Sequence, residues 1–218
     1  KSTLLRLISG ALSPAEGTIE IQGKPVWALS RKDAAQEVAL VLPEGGRTIP
    51  FRVEALVLLG RSPYLGDLGW EGPEDRRIAR EAMALAGVAD LGDRFFDGLS
   101  LGERQRVLLA QGLAQEPKIL LLDEPAAHLD IHHQVEIHAL LERLAKDRGM
   151  TVVAVSHDLN LAAEYSDRLV LLEKGRVRAD GRPEAVITEE LLASVYESRV
   201  LVDRNPKSGA PRVTLLRS

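Results

Sequence analysis

The sequence has no cysteine among its 218 residues. This absence excludes a disulfide scaffold, a zinc or iron–sulfur site held by cysteine, and a catalytic thiol. A chain without cysteine suits a reducing compartment, so the cytoplasm is the expected location.

Aromatic residues, net charge and long apolar runs are also scarce. Aromatic side chains make up 4% of the chain, and 28 basic residues against 32 acidic ones leave a net charge of −4. Because no basic cluster is present, direct binding to nucleic acid is disfavoured. Apolar runs such as 119–122 are far shorter than the roughly 18 residues of a membrane-spanning helix, so a role at a membrane requires a partner.

Apolar residues nevertheless make up 45% of the chain, which is enough for a compact domain with a large core. Apolar runs of strand length alternate with segments of helical spacing, and this alternation predicts an α/β fold with a parallel, doubly wound sheet. The predicted strands are 38–42, 118–122, 151–155 and 168–172, and the crossover helices between the last three are 130–146 and 158–165.

Residues from about 50 to 115 have helical patterns only, which predicts a helical subdomain inserted into the α/β core. Within it we expect helices at 52–59, 73–86 and 102–114, with a loop rich in glycine and proline between the first two. Elsewhere the patterns predict helices at 2–8 and 30–37, a strand at 18–22 that turns at Gly23, and a β-hairpin over 199–218. The whole chain, 1–218, is expected to be a single domain.

The chain opens with Lys1, Ser2 and Thr3 at the start of a helical pattern. A lysine at the N-terminus of a helix can bind phosphate together with the backbone amides, and the neighbouring hydroxyl can bind Mg²⁺. The glycines of such a phosphate-binding loop, and the strand before it, would precede Lys1. A solvated lysine followed by serine is the simpler interpretation of the tripeptide alone.

Two carboxylates, Asp123 and Glu124, follow the apolar run 119–122. Ligands of α/β proteins bind at the carboxyl ends of the strands, so this pair lies where a nucleotide would. We expect Asp123 to hold Mg²⁺ through water and Glu124 to polarise a water molecule for attack on a γ-phosphate. The alternative is that both acids cap the following helix.

The segment from Ser100 to Glu103 has the spacing of a capping box, in which the serine and the glutamate bind each other's backbone amides. Gly102 lies inside the first helical turn, where glycine is unfavourable unless something approaches the backbone closely. A helix N-terminus prepared for an anion would explain the glycine, and both interpretations can hold together.

His157 follows the apolar run 151–155 directly after Ser156. A lone histidine is most often structural, but this position favours a contact with the γ-phosphate. The remaining histidines do not predict zinc, because their spacing brings at most two of them together on one helical face. They are His128, His132, His133 and His138.

Six motifs occur in an order that resembles the ATP-binding subunit of an ABC transporter, over essentially the whole chain. The end of Walker A, the Q-loop, the signature, Walker B, the D-loop and the switch histidine would correspond to KST (1–3), LPE (42–44), LSLGE (99–103), ILLLDEP (119–125), HLD (128–130) and SHD (156–158). Two further stretches, GRSPY (60–64) and LDIHHQVEIHALL (129–141), are similar to the importers of iron–siderophore, haem and cobalamin complexes.

The resemblance implies a P-loop NTPase fold with a RecA-like parallel-sheet core, a small antiparallel β part and the inserted helical subdomain. It implies that two copies close head to tail around two ATP molecules with Mg²⁺, at the cytoplasmic face of the membrane. One copy would supply Lys1, Ser2, Thr3, Glu44, Asp123, Glu124 and His157, and the other would supply Ser100, Gly102 and Glu103. Asp130 would connect the two sites.

The resemblance also implies a membrane permease as partner, whose short helix would enter a groove near residues 44–64, and indirectly a substrate-binding protein. Glu44 stands where the family usually has glutamine, and Leu101 where it has a small residue. Together with the start at Lys1, these two departures leave open the alternative that the chain is an interaction subunit that does not hydrolyse ATP. A soluble ABC ATPase of DNA repair or translation is a further alternative, but the chain lacks the coiled-coil insertion, tandem copy or basic arm of that class.

Overall fold

The fold is given by a computed structural model that describes residues 1–43, 48–66 and 69–216. Contacts divide the chain into two compact units, one of Ser2–Val155 and one of Lys1 with Ser156–Ser218. In the described residues the helices are α1 (Ser2–Ile8), α2 (Arg31–Glu37), α3 (Val53–Leu58), α4 (Pro73–Leu85), α5 (Leu101–Ala114), α6 (Ile131–Arg148), α7 (Leu159–Tyr165), α8 (Pro183–Val186) and α9 (Glu189–Tyr196). The strands are β1 (Glu20–Ile21), β2 (Lys24–Pro25), β3 (Val38–Val41), β4 (Ile119–Asp123), β5 (Thr151–Val155), β6 (Leu169–Glu173), β7 (Arg176–Gly181), β8 (Val200–Arg204) and β9 (Pro211–Leu215).

A parallel sheet of β3, β4 and β5, in that order, forms the centre of the first unit. The helical segment that ends with α5 connects β3 to β4, and α6 connects β4 to β5. The side chains of Leu120, Leu121 and Leu122 on β4 are at most 1% exposed, because α1 covers one face of the strand and α5 and α6 cover the other. The predicted parallel α/β core is confirmed for these three strands.

The prediction that the run at 168–172 joins this sheet as a further parallel strand is wrong for the described pairing. β6 pairs antiparallel with β7 through a two-residue turn in which Lys174 and Gly175 have φ of 48° and 80°. Two successive residues with positive φ form the type I′ turn, whose twist matches that of an antiparallel hairpin. The local turn therefore explains why β6 pairs antiparallel with β7, and apolar periodicity gives no sign of this pairing.

Residues 53–114 are helical wherever the structure describes regular elements, as predicted. Fully buried side chains of α3, α5 and the loop before α5 meet β3 and β4 in one core, which includes Val53, Phe96 and Val107. Helix α5 lies close against β3, because a Cβ at Gly112 would be 2.7 Å from Val41 Cγ2. The helical segment and the sheet are thus packed as one body within this unit.

A 3₁₀-helix, Leu59–Tyr64, occupies part of the region predicted as a loop between α3 and α4. It packs so tightly on α5 that a Cβ at Gly60 would be 2.3 Å from the Gln111 carbonyl oxygen. Arg61 is only 4% exposed. Its guanidinium donates to Asp75 at 3.1 Å, to the Ala114 carbonyl at 2.8 Å and to Glu116 at 2.8 Å. One side chain therefore connects the start of α4 to the end of α5.

Other polar contacts connect the same corner to β3 and the helix before it. Gln36 donates to the Pro63 carbonyl at 3.0 Å, and the Tyr64 hydroxyl donates to the Gln115 carbonyl at 3.0 Å. The side chain of Gln115 in turn donates to the carbonyls of Ala35 and Val38. The segment GRSPY thus has a clear architectural role.

The unit of Lys1 and Ser156–Ser218 has its own small core around Ala163, Ile187 and Leu192. The predicted C-terminal hairpin is confirmed as β8 and β9, which pair antiparallel. Asn160 holds β9 to α7 through both backbone groups of Val213. In the part of the chain that the structure describes, no helix is both long enough and apolar enough to span a bilayer.

Replacing Arg61 by alanine is expected to destabilise the protein by about 2–3 kcal/mol, because the Ala114 carbonyl and the carboxylate of Asp75 lose a buried cationic donor. The matched control is Arg80→Ala, since Arg80 is a 68% exposed partner of Glu54 and such surface pairs contribute less than about 1 kcal/mol. Urea unfolding of the two variants measures the difference. Equal losses in both would show that the Arg61 network is not stabilising.

Candidate nucleotide site

The carboxyl end of β4 carries the two predicted acidic residues. Asp123 is 8% exposed and lies in register with Val155 at the end of β5. Glu124 follows it outside the strand, and its amide donates to the Val155 carbonyl at 3.0 Å. The structure therefore places both residues at the sheet edge where the strand order predicts a ligand, and neither lies within the following helix, which starts at Ile131.

Glu124 has an unusual backbone conformation, with φ of 52°. A residue other than glycine rarely adopts positive φ, and such strain is concentrated at functional sites where surrounding contacts hold it. Here the bond from its amide to β5 helps to hold the turn. The conformation directs the chain sharply away from the strand immediately after the buried Asp123.

Helix α1 begins with Ser2 and Thr3, as predicted, and both residues are exposed. Leu5, one turn further on, is 1% exposed and packs with Val38 and Leu121. This contact fixes the helix against β3 and β4 in the same unit as Asp123 and Glu124. The hydroxyls of residues 2 and 3 thus start a helix that lies on the central strand.

Lys1 and His157 belong to the other unit. The Lys1 ammonium donates to the backbone carbonyl of Ser156 at 3.4 Å, immediately before the exposed His157. The structure thus places the Lys1 ammonium at the backbone of the residue before His157. The convergence of this pair with Asp123 and Glu124 on one triphosphate stays a prediction.

The capping box at the start of α5 is present. The Glu103 amide donates to the Ser100 hydroxyl at 3.3 Å, and the Ser100 amide donates to the Glu103 carboxylate at 2.7 Å. The amide of Ser100, with smaller contributions from the Ser100 side chain and from Arg94, lowers the pKa of Glu103 below its usual value near 4.5. Ser100 and Leu101 are exposed, so the tip of α5 is accessible.

Gly102 is buried, and a neighbouring side chain of the same chain explains why a glycine occupies this position. A Cβ at this position would be 3.3 Å from Cδ2 of His133 on α6, so the imidazole ring occupies the space beside the glycine. His133 also binds the Asp130 carboxylate, with 2.7 Å between Nδ1 and Oδ1 and 3.0 Å from its backbone amide. These bonds keep the pKa of Asp130 below its usual range.

Sequence reasoning missed His133 as a neighbour of Gly102. The available signal was the combination of a glycine in the first turn of α5 with an N-cap aspartate three residues before a histidine.

Among the residues that the structure describes, no three histidine, aspartate or glutamate side chains come together as a metal-binding group. Glu44, predicted as a ligand of Mg²⁺, lies outside the described residues.

A cavity of about 360 Å³ lies between the end of β3, the 3₁₀-helix and α5. It is lined by Leu40, Val41, Leu42, Leu59, Gly60, Leu108, Gln111, Gly112 and Gln115. Two of the lining side chains, Leu42 and Leu59, are 38% and 45% exposed. The lining therefore combines apolar side chains with the side-chain amides of Gln111 and Gln115.

The capping box gives a pH-dependent prediction. Because the folded-state pKa of Glu103 is lowered, its carboxylate stabilises the fold above about pH 4.5, and this contribution is lost as the pH falls further. Glu103→Gln is expected to cost about 1 kcal/mol at pH 7, and the cost should shrink toward zero as the pH is lowered to 3. Urea unfolding at a series of pH values measures it. Glu16→Gln, at an exposed position, is the control, and a pH-independent cost at Glu103 would contradict the prediction.

Comparison with known proteins identifies relatives along the whole chain. The hemin import ATP-binding protein of Gloeobacter violaceus is 44% identical over 226 residues, which covers 100% of this chain and 81% of the relative. The cobalamin import ATP-binding protein of Halobacterium salinarum is 41% identical over 99% of the chain, but the chain spans only 54% of that relative. The ferric enterobactin transport ATP-binding protein of Escherichia coli is 37% identical over 99% of the chain and 80% of its own length.

Solved structures agree with the sequence relatives. A metal-chelate type ABC transporter in an inward-facing conformation matches 99% of this chain and 81% of its own, with a TM-score of 0.86 and 28% identity. A dimeric ATP-binding cassette in a post-hydrolysis state with ADP and phosphate matches 83% of this chain and 79% of its own, with a TM-score of 0.71 and 29% identity. The ABC transporter family also matches residues 1–127 directly. The chain has the α/β fold of the ABC ATPase cassettes, and it belongs to the ABC transporter family.

Proposed function

We propose that this ABC ATPase hydrolyses ATP to energise a membrane importer of iron–siderophore, haem or cobalamin complexes. The buried Asp123 followed by the strained Glu124 at the end of β4 is the observation that carries the proposal. The match to import ATP-binding proteins over almost the whole chain supports the substrate class.

In the proposed site, Lys1, Ser2 and Thr3 bind the phosphates of ATP. The donor set fits Mg²⁺, because a hydroxyl at the start of α1 and a buried carboxylate at the end of β4 are the oxygen ligands that this ion prefers. Ser2 and Asp123 would hold the ion, with Glu44 as a further predicted ligand, and the bound ion would neutralise charge on the phosphates.

Glu124 is the proposed general base. Its carboxylate accepts a proton from the water molecule that attacks the γ-phosphate, and His157 contacts the γ-phosphate from the strand end next to the Lys1 ammonium. The backbone of Glu124 leaves β4 in the left-handed region, which supports a role in which the carboxylate is held apart from the buried Asp123.

A second copy of the chain completes each site. Ser100, Gly102 and Glu103 at the accessible tip of α5 would reach the ATP bound by the other copy, and Asp130 would connect the two sites. The exposed Ser100 and Leu101 support an interface at this tip. The matched dimeric cassette with ADP and phosphate supports the pairing of two copies.

A permease in the membrane is the proposed mechanical partner, with the chain at its cytoplasmic face. The cavity lined by the exposed Leu42 and Leu59 and by the polar Gln111 and Gln115 fits a short amphipathic helix of that permease. A substrate-binding protein outside the membrane would deliver the complex to the permease and so act on this chain only indirectly.

Glu124→Gln tests the catalytic assignment. In protein expressed from the complete reading frame, we expect ATP hydrolysis to fall by at least about a hundredfold, while ATP still drives dimerisation, because glutamine keeps the shape but not the basicity of the side chain. Phosphate release and sedimentation measure the two properties. Retained turnover would remove Glu124 as the general base, and absence of turnover in the unchanged protein would favour a non-hydrolysing subunit.

Leu59→Ser tests the docking surface. A polar residue at the rim of the cavity is expected to weaken permease binding by about tenfold, because apolar contact with the incoming helix is lost. Leu201→Ser is the matched control, since Leu201 is 44% exposed in the C-terminal hairpin against 45% for Leu59. Binding is measured by titrating each variant against the permease in nanodiscs. Equal binding by both variants would place the permease elsewhere.

A further inference from the structure

The first turns of helices α5 and α6 lie next to each other, and the imidazole of His133 lies between them. Its imidazole lies 3.3 Å from the position that a Cβ of Gly102 would occupy. The same ring binds the Asp130 carboxylate at 2.7 Å through Nδ1. The side chain is 30% exposed, whereas that of the neighbouring His132 is 76% exposed. One ring therefore touches both the tip of α5 and the carboxylate that caps α6.

We propose that His133 is a positioning residue that fixes the Asp130 carboxylate relative to the tip of α5. The two then form one rigid surface that faces the second copy. This inference rests on the proposed function, in which Ser100, Gly102 and Asp130 act across the dimer.

The chemistry of the ring explains why a histidine suits this position. Its flat face packs against a backbone without a side chain, and its Nδ1 lies at hydrogen-bond distance from the carboxylate. Aspartate at an N-cap already receives the backbone amide of residue 133 at 3.0 Å, so the ring adds a second bond that fixes the orientation of the carboxylate. Alanine would leave the space beside Gly102 empty, and Oδ1 of Asp130 would keep only its bond from the backbone amide.

An independent ion pair fixes the next turn of the same two helices. Arg106 on α5 donates to Glu136 on α6 at 2.9 Å, with 19% and 42% of the side chains exposed. Because this pair holds the helices together one turn away, loss of His133 is expected to loosen their tips without separating the helices. The effect should therefore appear at the dimer interface before it appears in the stability of the fold.

The test measures ATP-driven dimerisation by sedimentation in a Glu124→Gln background, with protein expressed from the complete reading frame. We expect His133→Ala to weaken dimerisation by about tenfold while nucleotide binding to the monomer is unchanged. Val135→Ala is the control, since Val135 is a 42% exposed side chain on the same helix, and it should stay within about twofold of the parent. Unchanged dimerisation in His133→Ala would overturn the inference.

Two conservative variants test the two contacts of the His133 ring separately, and they show whether a loss of dimerisation is caused by misfolding. His133→Asn keeps a donor near the position of Nδ1, and His133→Phe keeps the ring against Gly102. Each is expected to dimerise better than His133→Ala and less well than the parent. If both match the parent, or if all three weaken dimerisation only in proportion to a loss of thermal stability, His133 has no positioning role.

A double-mutant cycle with Gly102→Ala tests the contact itself. The added Cβ would crowd the ring at 3.3 Å, so Gly102→Ala should be less harmful when residue 133 is already alanine than when it is histidine. Strict additivity would contradict the inference and would assign the glycine to the approach of ATP alone. Neither result depends on hydrolysis, so failure here is distinguishable from retained turnover in Glu124→Gln, which would count against the proposed catalytic role.

Discussion

The burial of β4 on both faces is the constraint on which the rest of the first unit depends. Its three central leucines are almost fully buried, so helices must cover the strand from both sides, and the parallel partners β3 and β5 must flank it in register. Parallel strands end at the same edge of a sheet. The apolar run therefore forms part of the hydrophobic core. It also determines that the first polar residues after it, Asp123 and Glu124, lie at the edge of the sheet where a ligand can bind.

A second consequence concerns the turn after β4. The chain must leave a fully buried strand within one residue, and it does so with positive φ at Glu124 and again at His128, at 52° and 61°. Such conformations persist only where neighbouring contacts hold them. The bond from the Glu124 amide to β5 supplies one contact, and the N-cap of α6 at Asp130 supplies an anchor on the other side of the turn. Residues 124 to 130 are thus held between two fixed elements.

Much of this architecture could be predicted from the sequence, because its signals are local. Strand-length apolar runs predicted β3, β4 and β5, and the spacing of Ser100 and Glu103 predicted the cap of α5. The failures have physical reasons as well. The partner of β6 depends on a Lys174–Gly175 turn that apolar periodicity does not detect, and the network of Arg61 joins residues more than 50 positions apart in the chain. Gly102 was noticed as anomalous, but only the packing of α5 on α6 identified His133 as its neighbour.

Helix α5 connects the capping box at its first turn to the Arg61 network at its last turn. At 14 residues it is roughly 21 Å long, and both of its ends are fixed by tertiary contacts. Its first turn meets His133, and its last turns meet Val41 on β3 and the Arg61 network beside the cavity. A helix held along its length moves as a rigid body, because bending it would break backbone hydrogen bonds in a packed core. Displacement of the cavity end of α5 would therefore also displace the tip that carries Ser100 and Gly102.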